Sequence, residues 1–279
     1  MKKYLTPFCA ALAILSLSSC GNTTKDKLKI NQLEPSMGEE MAVNTQVTNS
    51  PKKRVFTDFI YDIGPRFRPV KREVVQKARS IDAFISKEEL DKIEHIKSVT
   101  VTIIDGYIIS DIIETGTSAS FSEAQLKLLK GSDYSTNLMI HVEFQQMNAQ
   151  INTVKNNYAS SYLTIIPEKQ ASYLFSEETL KDYLRVQSEE SRVGLDPKKL
   201  RPAKLYFTVT KDGSVENVRL DKSSFYPVVD GTMITLIKNL PGSWTPAENA
   251  NGEKVKQELV LSFGLSQILT AYWAIISII

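Results

Sequence analysis

One pattern occurs twice along this chain and limits the fold more than any other feature: strand, Asp-Gly turn, strand, helix, strand. The first copy covers about residues 99–145 and the second about 204–263. In the first, Val99-Thr100-Val101-Thr102-Ile103-Ile104 alternates, turns at Asp105-Gly106 and returns through Tyr107 to Ile113. An Asp-Gly pair between alternating runs is a strong hairpin signal. Ser122 to Lys130 then reads as a helix with Ala124, Leu128 and Leu129 apolar. Leu138 to Gln145 reads as a strand with Leu138, Ile140, Val142 and Phe144 on one face. In the second copy, Leu205, Phe207 and Val209 alternate, Lys211-Asp212-Gly213 turns the chain, and Val215 to Leu220 runs back. Val229, Met233, Leu236, Ile237 and Leu240 make one helical stripe, which Pro241-Gly242 ends. Val255, Gln257, Leu259, Leu261 and Phe263 line one face of a last strand. Hairpins with helices appended to them predict an α+β fold, here as two small mixed domains, the C-terminal one ββαβ.

Further elements fill the space around these units. Val55 to Ile63 is aromatic and β-branched and predicts a strand. Arg72 to Arg79 predicts a short helix. Ser86-Lys87-Glu88-Glu89 fits a capping box, with Leu90, Ile93 and Ile96 following on a helical stripe. Tyr158 to Ile166 predicts a strand and Glu177 to Val186 a helix. The expected organisation is therefore a middle domain over 55–175 and a C-terminal domain over 176–264. An uncharged apolar tail, 265–279, is too short to span a bilayer unaided. A packed end, an interfacial insert and an altered reading frame all remain open for that tail.

The N-terminus concerns placement rather than fold. Lys2 and Lys3 precede an apolar run from Leu5 to Leu17 and small residues at Ser18 and Ser19. That layout is a secretory signal peptide over residues 1–19. Leu17-Ser18-Ser19-Cys20 resembles the lipobox of bacterial lipoproteins. The resemblance implies cleavage before Cys20, a diacylglycerol on its sulfur and acylation, of the palmitate kind, on the new amine. Residues 20–54 are polar and lack a repeating apolar pattern, so they read as a lipidated flexible tether. Its reach is about 110 Å extended and roughly 30–35 Å as a coil. Cys9 falls inside the signal and Cys20 takes the lipid, and these are the two cysteines of the chain. The mature protein then has no disulfide and depends on its apolar cores.

The last ninety or so residues resemble the TonB C-terminal domain family. The residues that carry this are Asp212-Gly213-Ser214-Val215 after an alternating strand, Trp244-Thr245-Pro246 after the helix, and Asn251-Gly252 before the final strand. The family's usual Tyr-Pro approach to its first strand is missing, and residues 184–200 fill that place. Members of the family bind an extended segment of an outer-membrane receptor by adding it to a sheet edge. The resemblance therefore implies a partner-binding strand at Val255, Gln257, Leu259, Leu261 and Phe263. A membrane helix and a Pro-rich span, which force transduction requires, have no counterpart here, so binding or scaffolding is the expected use. Residues 55–175 resemble, without a defining motif, accessory segments of Bacteroidota envelope proteins. Trp244 itself is expected to be core.

Little in the sequence points to reaction chemistry. Basic and acidic residues number 34 and 32, a net charge of +2, which is no footprint for nucleic acid. Phosphate-loop, dinucleotide and nucleophile-elbow motifs are missing. The two histidines, His95 and His141, stand apart. His141 shares a polar strand face with Glu143 and Gln145, which lacks a third metal ligand. Lys52-Lys53-Arg54 with Arg66, Arg68, Lys71 and Arg72 forms a basic cluster, read first as a solvated surface. The expectation is a non-enzymatic lipoprotein without cofactor or metal. It would face the periplasm from the outer membrane, with the bilayer and an envelope protein, such as an outer-membrane receptor, as partners. The alternative is a cell-wall-facing glycan binder or enzyme that uses Arg66, Arg68, Arg72 and the His141 face.

Overall fold

The computed structural model describes residues 57–106, 108–148 and 153–265. The elements are β1 (Ile60–Gly64), β2 (Arg68–Lys71), α1 (Arg72–Lys77), α2 (Lys87–Leu90), β3 (His95–Asp105), β4 (Ile108–Gly116), α3 (Glu123–Gly131), β5 (Asn137–Asn148) and β6 (Thr153–Ile166). They continue with β7 (Ser172–Tyr173), α4 (Glu177–Gln187), β8 (Ala203–Val209), β9 (Val215–Lys222), α5 (Pro227–Lys238), β10 (Trp244–Thr245), β11 (Ala247–Glu248), β12 (Lys254–Val255) and β13 (Gln257–Gly264). The fold is α+β with open sheets. A five-stranded sheet has the order β2-β6-β5-β3-β4, and a four-stranded sheet the order β1-β13-β8-β9. Pairing is antiparallel except between β2 and β6.

The local signals explain most of these elements. Ser122 caps α3 by accepting from the Gln125 N–H, while the Gln125 side chain accepts from the Ser122 N–H. Pro227 occupies the first position of α5, where a missing N–H costs nothing. Gly213 takes φ +84 in its turn, and a Cβ there would stand 2.2 Å from the Trp244 carbonyl oxygen. That second Asp-Gly turn thus admits only glycine.

Each large sheet has its own core. Under the five-stranded sheet, Val99, Val101, Leu138, Ile140, Val142, Leu163 and Ile165 pack against Val75 of α1 and Leu129 of α3. Under the four-stranded sheet, Leu205, Phe207, Leu259, Leu261 and Phe263 pack against Leu180 and Leu184 of α4 and Val229, Met233 and Ile237 of α5. Each of these side chains contributes about 1.5–3 kcal/mol through burial. Trp244 lies in the second core, tilted against Phe207 and edge-on to Tyr173.

Several expectations change. The strand expected over 55–63 is β1, and it belongs to the C-terminal sheet: Ile60–Gly64 pairs with Gly264–Val260. Likewise β7 pairs with β10. Segments from before residue 176 thus complete structure built after it, and the described residues lie in one compact unit. The helix expected after Ser86 ends at Leu90, and His95-Ile96 already belong to β3, opposite Gln145 and Phe144. Pairing to β5 outweighs the local stripe. The expected last strand is broken: Val255 pairs with Ala247 in β12, and β13 starts at Gln257. Cys20, the signal, residues 20–54 and the tail beyond Leu265 lie outside the described residues.

Candidate partner-binding edge

A sheet recruits a foreign strand only where its own backbone is unpaired. Val255, Gln257, Leu259, Leu261 and Phe263 do not provide such a place. From Gln257 to Phe263 the strand is hydrogen-bonded to β8, and Val260–Gly264 is hydrogen-bonded to β1 on its other side. Gln257, Leu259, Leu261 and Phe263 are also buried. Over Val260–Gly264 the expected binding strand is therefore already covered by the chain's own backbone, and the Glu258 N–H before it is taken by the Ser135 hydroxyl at 2.8 Å. Arg192 holds that cover in place. Its guanidinium is buried, donates to the Thr57 carbonyl (2.6 Å), the Ser188 hydroxyl (3.1 Å) and the Arg185 carbonyl, and lies over the Phe59 ring at 5.7 Å. The Tyr61 hydroxyl adds a bond to Ser188 at 3.1 Å. No sequence signal marks this clamp, because its parts are more than a hundred residues apart.

Among the described residues, the two large sheets end in four edge strands: β1, β9, β2 and β4. β2 has four residues and includes Pro69, which lacks a donor. β1 has five residues and runs into Pro65. β9 carries Glu216, Arg219, Asp221 and Lys222, a positive-φ residue at Asn217 and two register shifts against β8. Charges and bulges of this kind blunt an edge. Its Glu216 and Arg219 are also engaged across the sheet by Lys256 (2.6 Å) and Glu258 (2.7 Å).

β4 is the longest of the four and carries the most apolar residues, with two carboxylates, Asp111 and Glu114, and one register shift against β3. It has nine residues, Ile108-Ile109-Ser110-Asp111-Ile112-Ile113-Glu114-Thr115-Gly116, with neither proline nor a cation. Ile109, Ile112 and Ile113 are 54%, 52% and 45% exposed, unusual for isoleucine on a free edge. Pairing with β3 fixes the faces. Glu114 lies opposite Val101, on the side that carries α3, whereas Ile113 lies opposite Thr102, on the other side. Between the two pairs around Ser110 the register shifts, and the Ser110 hydroxyl donates to the Ile103 carbonyl at 2.8 Å. The same hydroxyl accepts from the Ile112 N–H at 3.2 Å, and among the described residues no further strand pairs with β4.

A groove runs beside this edge. It has a volume of about 660 Å³, with Ile103, Ile112 and Glu114 on the sheet side and Ala124, Lys127 and Leu128 on the α3 side. Gln125 sets its width. Buried at the start of α3, its Nε2 donates to the carbonyls of Val99 (2.8 Å) and Glu114 (3.3 Å), so one side chain ties the helix to both β3 and β4. A hairpin signal and a helix over Ser122 to Lys130 were both readable from sequence here. Their juxtaposition, and the lack of a further strand beyond β4 among the described residues, were not.

The other expected site residues are dispersed. His141 Nδ1 is bonded to the Ser160 hydroxyl at 2.8 Å, its Nε2 lies 4.0 Å from Glu143, and its ring lies 5.6 Å from that of Tyr158. Among the described residues no group of three potential metal ligands occurs. His95 is exposed on β3. Lys52-Lys53-Arg54 of the basic cluster lie outside the described residues, Lys71 is exposed, 3.6 Å from Glu168, and the three arginines make contacts within the fold. Arg66 is buried, 3.5 Å from Asp221, and stacks on Phe67 and Tyr206. Arg68 donates to the Phe84 carbonyl and the Ser161 hydroxyl. Arg72 lies 3.3 Å from Asp133 and over Tyr134. These arginines reach partners distant in sequence, which is why they read as solvated from sequence alone. Among the described residues, no helix is long and apolar enough to cross a membrane. Compared with known proteins, no family model, no curated protein and no solved structure matches this chain.

Proposed function

We propose that this chain is a non-enzymatic, lipid-anchored envelope protein that binds an extended segment of a partner protein by strand addition at β4. The observation that carries the reading is the open nine-residue edge with three exposed isoleucines beside the α3 groove. Each backbone hydrogen bond to an added strand is worth about 0.5–1.5 kcal/mol net, and alternate side chains of the guest supply specificity. A guest residue on the α3 side enters the groove, and one on the other side packs on Ile109 and Ile113.

Placement rests on the sequence. The lipobox ending at Cys20 supports anchoring, and the absence of an acidic run after it supports a position facing the periplasm. The C-terminal half is read as a TonB-like ββαβ unit, supported by β8, β9, α5 and β13 following one another with Asp212-Gly213 in the hairpin turn and Trp244 after the helix. With the edge of β13 occupied, that unit acts as a scaffold, and the partner, an envelope protein linked to outer-membrane transport, is met by β4.

Photo-crosslinking in intact cells tests this. A photoreactive residue replaces Ile109 or Ile113 in the full-length chain, and in parallel Leu220 on β9 or Ile60 on β1. The expected result is one shared adduct from both β4 positions, lost when the other β4 isoleucine is changed to lysine. Adducts that form from Leu220 or Ile60 while β4 yields none would overturn the assignment.

A further inference from the structure

The loop entering α5 holds Phe225 at φ +71, a left-handed backbone that bulky residues rarely adopt. The surrounding bonds enforce it. The Ser223 hydroxyl donates to Asp230 Oδ2 at 2.6 Å, the Ser224 N–H donates to Asp230 Oδ1 at 3.0 Å, and the Phe225 N–H donates to the Ser223 hydroxyl at 3.0 Å. The result of this bracing is an aromatic ring held in water. Phe225 is 71% exposed, and Val228, one residue past Pro227, is 70% exposed.

A second loop, residues 194–202, is joined to the first. The Arg201 N–H donates to the Ser224 carbonyl at 3.1 Å, and the Asp196 N–H donates to the Tyr226 hydroxyl at 3.0 Å. The Arg201 guanidinium lies 5.9 Å from the Phe225 ring centre. Lys198 and Lys199 on this loop are exposed, and the Asp196 carboxylate caps the Lys198 N–H at 3.0 Å. None of Lys198, Lys199 and Arg201 forms an ion pair among the described residues.

We propose that these two loops are a membrane-docking surface for anionic phospholipid. Lys198, Lys199 and Arg201 meet the headgroup phosphates, while Phe225 and Val228 enter the interfacial layer. The charge argues for lipid over protein. Exposed lysines are depleted from protein interfaces, whereas cations beside an aromatic tip suit a bilayer surface. Each cation near an anionic leaflet contributes enough to change affinity about fivefold, so three change it roughly a hundredfold. The β4 edge, which carries Asp111 and Glu114 and no cation, has the opposite character. This surface stands independently of the strand-addition reading.

The test uses the full chain with Cys9→Ser and Cys20→Ser, which removes native thiols and any acyl group, and Val228→Cys bearing an environment-sensitive fluorophore. The apolar segments at both chain ends could carry the chain to vesicles without this surface, so the local signal at position 228 is the readout. The expected result is a blue shift with phosphatidylcholine–phosphatidylglycerol vesicles and none with phosphatidylcholine alone. The apparent affinity of that shift falls roughly a hundredfold in the Lys198→Gln, Lys199→Gln, Arg201→Gln variant, and further in the matching glutamate variant. The same label at exposed Glu88→Cys stays unshifted. The proposal fails if the label at 228 remains in water while the chain sediments with anionic vesicles. It fails equally if the shift ignores lipid charge, or if only lipid-free envelope protein produces it.

Discussion

At the scale of single residues, two positions hold more of the structure than their neighbours suggest. Gly213 combines φ +84 with a closest approach to the Trp244 carbonyl that leaves no room for a Cβ. Backbone, not a flexible side chain, would have to move. Gly213→Ala is therefore expected to cost about 3 kcal/mol, read as a lower urea midpoint with unchanged slope. The Asp-Gly signal for this turn was legible in sequence, but the reason alanine fails there was not, because Trp244 is thirty-one residues on. Arg192 is the other position. Arg192→Met removes a buried charge together with its bonds to the carbonyls of Thr57 and Arg185. The orphaned acceptors are expected to cost about 2–4 kcal/mol. Hydrogen exchange gives the sharper readout: amides of Tyr61 and Ile63 exchange faster, while those of β8 at Leu205 and Phe207 stay protected. Equal acceleration in β1 and β8 would mean that Arg192 supports the whole core rather than the clamp.

At the scale of elements, local sequence was a good guide wherever an element's partner is its neighbour. The β3–β4 hairpin, α3, and α5 with Val229, Met233 and Ile237 all follow from turn residues and periodicity, while the Ser122 cap of α3 is added by the structure. It misled where pairing is distant. Nothing in Ile60–Gly64 points to Val260–Gly264, so β1 read as part of the middle region and β13 as an open edge. His95-Ile96 read as helix because their strand partners, Gln145 and Phe144, lie fifty residues ahead. The open edge of β4 is itself a non-local fact, since an edge is defined by what fails to pair with it. Gln125 tests how that edge is held. Gln125→Ala removes one half of the capping box and the bonds to Val99 and Glu114 carbonyls, with an expected cost of about 2 kcal/mol. Faster exchange in α3 and β4 should accompany weaker crosslinking from Ile113. Crosslinking that survives a loosened α3 would show that the edge alone, without the groove, recruits the partner.

At the scale of the whole molecule, the two sheets are joined around a buried cation pair whose charge cost can be titrated. Arg66 reaches β8 and β9 through Tyr206 and Asp221, while the adjoining Phe67 donates its N–H to Thr164 and packs on Tyr162 of β6. Beside Arg66 lies Lys204, 3% exposed. Burial, and then the neighbouring Arg66 charge, push its amine down to about 8, against weaker upward pulls from Asp221 and Asp62. The unfolded chain keeps that proton up to about 10.5, whereas the folded chain releases it near 8. Between those values the unfolded state binds more protons, so stability rises with pH. Below pH 8 both states are protonated and the full cost, roughly 3 kcal/mol, is present. The upper end of the window is narrowed by Tyr61 and Tyr173. Burial raises both hydroxyls, so they resist ionisation in the folded state and pull stability down above pH 10. Urea midpoints are therefore expected to climb from pH 8 to a maximum near pH 10 and then fall. Lys204→Met should be more stable than the parent at pH 7 and lose the climb while keeping the fall. A parent profile that is flat from pH 8 to pH 10 would mean that Lys204 keeps its proton in the folded state, its charge compensated at the junction of the two sheets.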